Sequence, residues 1–313
     1  MNTKNKTAVS NRLTRRGLLA GAAGAVAAVA AGLPNIGRAK DKEASSCKPA
    51  VTKGRINQSV CNWCFLGDCS SKPMTLDELC RHAKAMGIKS VELVEPEDWP
   101  VLKKHGLICA LANSHGFVKG WNHKENWPMC KEKIEAAVDA CVEAGFPSVI
   151  TFSGFREGMP DDIGLKNTVA GLKTVVGYAE KKKINLMIEV LNSRVDVEMK
   201  GHPGYMGDTA EWCVEVCRQI ASERMKVLFD IYHVQIMQGD VITRIKQFQE
   251  YIGHYHTAGV PGRNELDDNQ EINYPPIMRT IVDTGFKAYV AQEFIPTRDP
   301  VRSLREAVKL CDV

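Results

Sequence analysis

The chain has 313 residues, 44% of them hydrophobic and 25% charged, with a formal net charge of +4. Such a mixture holds enough apolar material for a sizeable core and excludes a disordered or collagen-like chain. The positive excess sits at one end: residues 1–39 carry Lys4, Lys6, Arg12, Arg15, Arg16 and Arg38 and no acid, so the remainder is at −2 and offers no electrostatic reason to bind nucleic acid or an anionic membrane.

The basic end contains Thr14-Arg15-Arg16-Gly17-Leu18-Leu19, followed by an uncharged stretch up to Gly37 that is rich in Ala and Gly. It resembles a twin-arginine export signal. A membrane anchor would be more apolar, and Pro34 and Gly37 break the end of the run. Small residues around Ala39 suit cleavage after that position, so residues 1–39 read as a signal and 40–53 as a polar tether. The expectation is an exported, periplasmic protein with no stable membrane association after cleavage.

From residue 54 onward, short apolar runs alternate with longer amphipathic ones. Strands are expected at Ile56–Trp63, Ser90–Val94, Leu107–Ala112, Ser148–Phe152, Ile184–Val190, Lys226–Asp230, His254–Thr257 and Lys287–Phe294. Between them, three-to-four spacing of apolar residues predicts helices over Thr75–Met86, Glu97–Lys104, Cys130–Ala144, Leu165–Lys182, Thr209–Ile220, Val241–Tyr251 and Pro276–Thr284, with a last one over Pro300–Leu310. Several end in glycine, at Gly87, Gly145 and Gly285, as a left-handed helix terminus requires. Eight β and α units in this length predict a single α/β domain over residues 54–313, a (β/α)8 TIM barrel. A doubly wound open sheet would usually show a GxGxxG turn, and none is present.

The eleven cysteines are odd in number and scattered. Cys61, Cys64 and Cys69 form a cluster with some metal or redox flavour, but no second CxxC pair follows, so buried thiols are expected. Cys213 and Cys217, four apart, are expected to share one apolar helix face.

In such a barrel the active site lies at the C-terminal ends of the strands, so the informative residues are polar ones that close apolar runs. Four successive strands supply Glu189, Asp230, His256 and Glu293. Neighbouring strands lie ~4.8 Å apart, so inward side chains there can meet at one point. The oxygen and nitrogen set suits Mn²⁺, Mg²⁺, Co²⁺ or Zn²⁺. His254 falls on the same strand face one layer lower. Glu92, within the second strand, needs a partner that the sequence does not name.

These stretches carry a resemblance. Ile188-Glu189-Val190-Leu191-Asn192, Phe229-Asp230-Ile231-Tyr232-His233, Gly253-His254-Tyr255-His256, the run Gly259 to Glu265 containing Pro261-Gly262-Arg263, and Gln292-Glu293-Phe294 resemble the hydroxypyruvate isomerase family within the xylose-isomerase-like barrels. The resemblance implies that Glu189 and Glu293 bind a divalent metal and shuttle the proton, while Asp230 and His256 complete the coordination. Some hydroxypyruvate isomerases have Gln where this chain has His256. The chemistry agrees with that assignment, because moving a proton between the carbons flanking a carbonyl needs a base, an acid and positive charge beside the enediolate oxygens.

Further substrate-binding candidates, expected on loops over the mouth, are His233, for a substrate oxygen, and Arg263, for a carboxylate held by a two-pronged contact; a helix start, or support from behind the ligands, is the competing expectation for His233. A salt bridge from Arg263 to Glu265 or Asp267 is the competing expectation. His115, after the third strand, either lines the pocket or stabilises its loop. Trp63, Phe65, Trp99 and Trp121 are expected to wall the mouth or pack in loops. The implied reaction is metal-dependent isomerisation of a small keto acid or sugar, hydroxypyruvate to tartronate semialdehyde being the family's own, with a homo-oligomer left open. Competing readings are a ketose 3-epimerase or sugar isomerase on the same site, an endonuclease IV-like phosphodiesterase, which needs many more histidines than the eight present, and a non-catalytic sugar-binding protein.

Overall fold

The computed structural model describes residues 48–67, 70 and 72–313. The expected export signal, most of the tether and Cys69 lie outside those residues. Seven parallel strands form one sheet: β1 (Asn57–Cys61), β2 (Ser90–Glu92), β3 (Ser148–Thr151), β4 (Asn185–Glu189), β5 (Met225–Asp230), β6 (Ile252–Thr257) and β7 (Tyr289–Gln292), in the order β2-β1-β7-β6-β5-β4-β3. The ends of that order are β2 and β3, and residues 107–112 connect them. Val91 N–H donates to Ile108 O at 3.1 Å, and Ala112 exchanges backbone bonds with β3 at 2.9 and 3.0 Å.

The stretch Leu107–Ala112 therefore occupies the place of the expected eighth strand without being a regular one. Midway along it, Ala110 N–H turns from the ladder to the Ser90 hydroxyl, 2.9 Å away, leaving isolated bridges at Ile108 and Ala112. A side chain thus takes over one backbone bond, and the sheet curls into a barrel with a stapled seam.

Around it lie α1 (Leu76–Met86), α2 (Trp99–Lys104), α3 (Trp127–Ala144), α4 (Asp161–Leu172), α5 (Val176–Lys182), α6 (Ala210–Ile220), α7 (Ile231–Met237), α8 (Val241–Phe248), α9 (Tyr274–Asp283) and α10 (Pro300–Cys311). Local chemistry starts and stops them. Thr75 and Glu78 form a reciprocal capping box on α1, and Gly87 ends it at φ 90°. The helix expected over Leu165–Lys182 is broken at residues 173–175, where the Thr174 hydroxyl donates to Gly171 O at 2.6 Å and closes a turn.

Helix α7 was not expected, although its signal is local. Asp230 caps it by accepting from His233 N–H at 3.1 Å. At the other end of the barrel, Thr52, Lys53 and Gly54 donate backbone N–H groups to the Asp312 carboxylate at 2.6–2.9 Å, so these residues are held to the barrel base. None of the helices among the described residues is long and apolar enough to cross a membrane.

The main core lies between the outer strand faces and the helices. A smaller apolar cluster, including Leu111, Ile150, Met187 and Leu228, fills part of the barrel interior.

Candidate metal centre and substrate cavity

Period-two alternation puts Met187 and Glu189 of β4, Leu228 and Asp230 of β5, and His254 and His256 of β6 on inward faces. Asp230 pairs in register with His256, and Glu293 follows directly after β7. Glu189, Asp230, His256 and Glu293 are all buried and offer one ligand atom each within 4.8 Å of one another. His256 presents Nδ1 to Glu293 Oε2 at 2.9 Å and to Glu189 Oε1 at 3.4 Å.

Arg263 reaches the same point. It sits at φ 57° in the loop after β6, where its Nη2 lies 2.5 Å from Glu293 Oε2 and 3.7 Å from Asp230 Oδ2. Nη1 donates to Met199 O at 2.8 Å, and the guanidinium packs over the ring of Trp63. Arg263 thus points inward to Glu293 instead of pairing with Glu265 or Asp267. Glu265 instead accepts from Thr297 and Ser303, and Asp267 pairs with Arg298.

His233 is wholly buried on the first turn of α7, not exposed on a loop over the mouth. Its Nδ1 accepts from Asn192 N–H at 2.9 Å, which places the ring proton on Nε2, 3.6 Å from Asp230 Oδ2. His115 is not brought to the cavity wall. Its Nε2 lies 2.9 Å from Thr151 Oγ1, which also accepts from Trp121 Nε1, so it anchors the loop after residue 112 to β3.

Electrostatics divide the group. Burial pushes the Glu189 and Asp230 carboxyls up, with Glu293 adding to both. Burial acts the same way on Glu293, but Arg263 and His256 outweigh it and hold that carboxyl well below the usual range. Burial disfavours a charged His256, yet Glu293 and the neighbouring groups raise it well above an ordinary imidazole.

Three buried polar atoms in this small region have no hydrogen-bond partner: Glu189 Oε1, His233 Nε2 and Arg263 Nε. Buried polar atoms are normally paired, so an acceptor and two donors left open side by side mark a place built to receive something. The donor set of three carboxylates and one imidazole fits a divalent cation. Beside it opens a cavity of about 170 Å³ whose lining includes Glu189, Glu293 and Arg263 together with Trp63, Ile150 and Phe152. His202 also lines it, and sequence reasoning missed that residue because it lies in the long loop after β4, far from any strand end.

Two other expectations concern the cysteines and aromatics. Cys61 and Cys64 are both buried and outside any disulfide, as are Cys213 and Cys217, which share α6. Cys61 lies near the site, with Sγ 3.8 Å from His256 Nε2, on the side away from Glu189. Among the aromatics, Trp63 walls the cavity and donates to Glu293 Oε1 at 3.1 Å, while Phe65 and Trp99 pack against Phe294 and Phe146.

A family model described as a xylose isomerase-like TIM barrel matches residues 80–312. Among curated proteins, a 2-oxo-tetronate isomerase of Haemophilus influenzae is 26% identical over 73% of this chain and 91% of its own length. A human protein provisionally named a hydroxypyruvate isomerase is 27% identical over 56% of this chain and 63% of its own length, so the match spans less than two thirds of that relative. Among solved structures, an AP endonuclease, family 2 from Brucella melitensis superposes with a TM-score of 0.70 at 22% identity, covering 80% of this chain and 97% of that one. At that identity the likeness shows the fold alone.

Proposed function

The chain belongs to the xylose isomerase-like TIM-barrel family, and from that premise we propose that it is a metal-dependent isomerase of a short 2-oxo acid bearing a hydroxyl on the adjacent carbon. The observation that carries the proposal is the meeting of Glu189, Asp230, His256 and Glu293 with three unpartnered buried atoms beside them. The names of the relatives, hydroxypyruvate isomerase and 2-oxo-tetronate isomerase, support the substrate class. Export of the chain through the twin-arginine route is proposed on Arg15-Arg16 and the uncharged stretch after them.

Glu189, Asp230, His256 and Glu293 would hold the divalent cation, which supplies positive charge where negative charge gathers on the substrate oxygens. Glu189 and Glu293 would take a proton from one carbon and return it to the next. Their neighbours divide the remaining work. His233 offers Nε2–H to a substrate oxygen, and the unpartnered Nε–H of Arg263 offers a charge-assisted bond to the substrate carboxylate. The apolar rings of Trp63 and Phe152 shed water from the reacting end, where every one of these polar contacts strengthens.

The test is conversion of hydroxypyruvate and of a four-carbon 2-oxo acid in heavy water, with protein stripped by chelator and then reloaded with Mn²⁺ or Mg²⁺. The expected result is metal-dependent isomerisation with solvent deuterium entering at carbon. Turnover confined to neutral ketoses would overturn the substrate class, and isomerisation that carries no solvent deuterium and survives Glu→Gln exchange would overturn the proton-transfer route.

A further inference from the structure

Behind His256, away from the cavity, lies a second buried cluster that the proposed reaction does not use. Glu92, at the end of β2, is 0% exposed. Its Oε1 sits 2.9 Å from His256 Nε2 and 3.0 Å from His254 Nε2, and its Oε2 accepts from the Ser59 hydroxyl at 2.6 Å. β2 and β6 are not neighbours in the sheet, since β1 and β7 lie between them, so this carboxylate crosses the barrel interior to reach the histidines.

We propose that Glu92 is a positioning residue that decides which nitrogen of His256 serves the metal centre. The proposal rests on the reading that Glu189, Asp230, His256 and Glu293 form a cation site. The argument is one of hydrogen-bond inventory. Only one of the two imidazole nitrogens can offer a lone pair to a cation while the other keeps its proton. Glu92, already accepting from Ser59, accepts from Nε2–H of His256, so the proton stays on the far side of the ring and Nδ1 faces Glu189 and Glu293. Without Glu92 the preference reverses. The Glu293 carboxylate, 2.9 Å from Nδ1, would draw the remaining proton to that nitrogen and leave Nε2 facing the Cys61 thiol, 3.8 Å away. A carboxylate behind a ligating histidine generally raises metal affinity about 10–100-fold.

The decisive readout is the tautomer of His256, observed by ¹⁵N NMR of histidine-labelled, metal-free protein at a pH alkaline enough for the ring to hold a single proton, with Zn²⁺ affinity measured separately. In the wild type that single proton is expected on Nε2. In Glu92→Leu, which keeps the volume but removes the acceptor, Nε2 is expected to lose its proton and Zn²⁺ affinity to fall about 10–100-fold. Glu92→Gln retains an acceptor oxygen, so it is expected to restore the wild-type nitrogen and most of the affinity. If the leucine variant does not fold, the glutamine variant carries the test, since Nε2 losing its proton there would overturn the proposal. A folded Glu92→Leu protein with Nε2 still protonated and Zn²⁺ affinity unchanged would overturn it as well. Failure of the cation site itself would show separately, as wild-type protein that binds no Zn²⁺ while its metal-free spectrum still reports on Glu92.

Discussion

The barrel interior is built from two opposite materials. One is a polar group that reaches from β1 and β2 across to β6, where Glu92 bonds both Ser59 and His254. The other is an apolar cluster on β3, β4 and β5, where Ile150 of the cavity wall, Met187 and Leu228 pack with Leu111. A pair of buried histidines records the difference. His115, next to Phe152 and Trp121, is pushed down to about 4 by burial. His256 suffers the same burial but sits among carboxylates, which carry it well above an ordinary imidazole. The environment of a ring, not its depth, decides its charge.

The contrast can be broken most strongly at the mouth. Glu189→Gln and Glu293→Gln keep size and one oxygen but remove the base, and a positioned general base is worth ~10²–10⁴-fold in rate. Turnover should fall by that factor in either variant, and because Glu293→Gln also removes the charge paired with buried Arg263, the folding of each variant is checked by its thermal midpoint. Variants that kept more than a tenth of wild-type turnover would move the proton chemistry elsewhere.

On the apolar side the expected loss is of stability. Leu228→Ala removes a fully buried side chain from the inner cluster and should destabilise by about 2–5 kcal/mol in denaturant titration. The metal content of the folded fraction should be unchanged, because Leu228, the register partner of Glu189, offers no ligand atom. A cost under 1 kcal/mol would mean that the cluster is loosely packed.

The smallest expected effect sharpens the contrast between the two histidines. With His115 near 4 in the fold and about 6.5 in the unfolded chain, the unfolded state binds more protons between those values. Stability from this residue is therefore present in full above about pH 6.5 and is lost as pH falls towards 4, amounting to about 2 kcal/mol between pH 7 and pH 5. His115→Gln should remove that share of the pH dependence when the two proteins are compared across the window. Equal slopes for both would place His115 in a more polar setting than the structure shows.

The alternation of β and α units and the four polar strand ends were legible in the sequence because each is a local signal. Period-two alternation tells which residues face inward, and a carboxylate closing an apolar run tells where the strand stops. The Asp230 cap of α7 belongs to the same class and was overlooked only because its apolar pattern is one turn long. What tertiary structure alone decided is which inward residues meet across the barrel. Glu92 and His254 stand 162 positions apart and on strands that do not pair, so neither period nor spacing carries their contact. Arg263 offers the same lesson, since acidic residues beside it in the chain were available partners, yet the loop after β6 turns it inward to Glu293. Closure of the sheet set the first pairing, because the curvature that brings opposite walls within hydrogen-bond reach is a property of all the strands together, whereas the loop after β6 set the second.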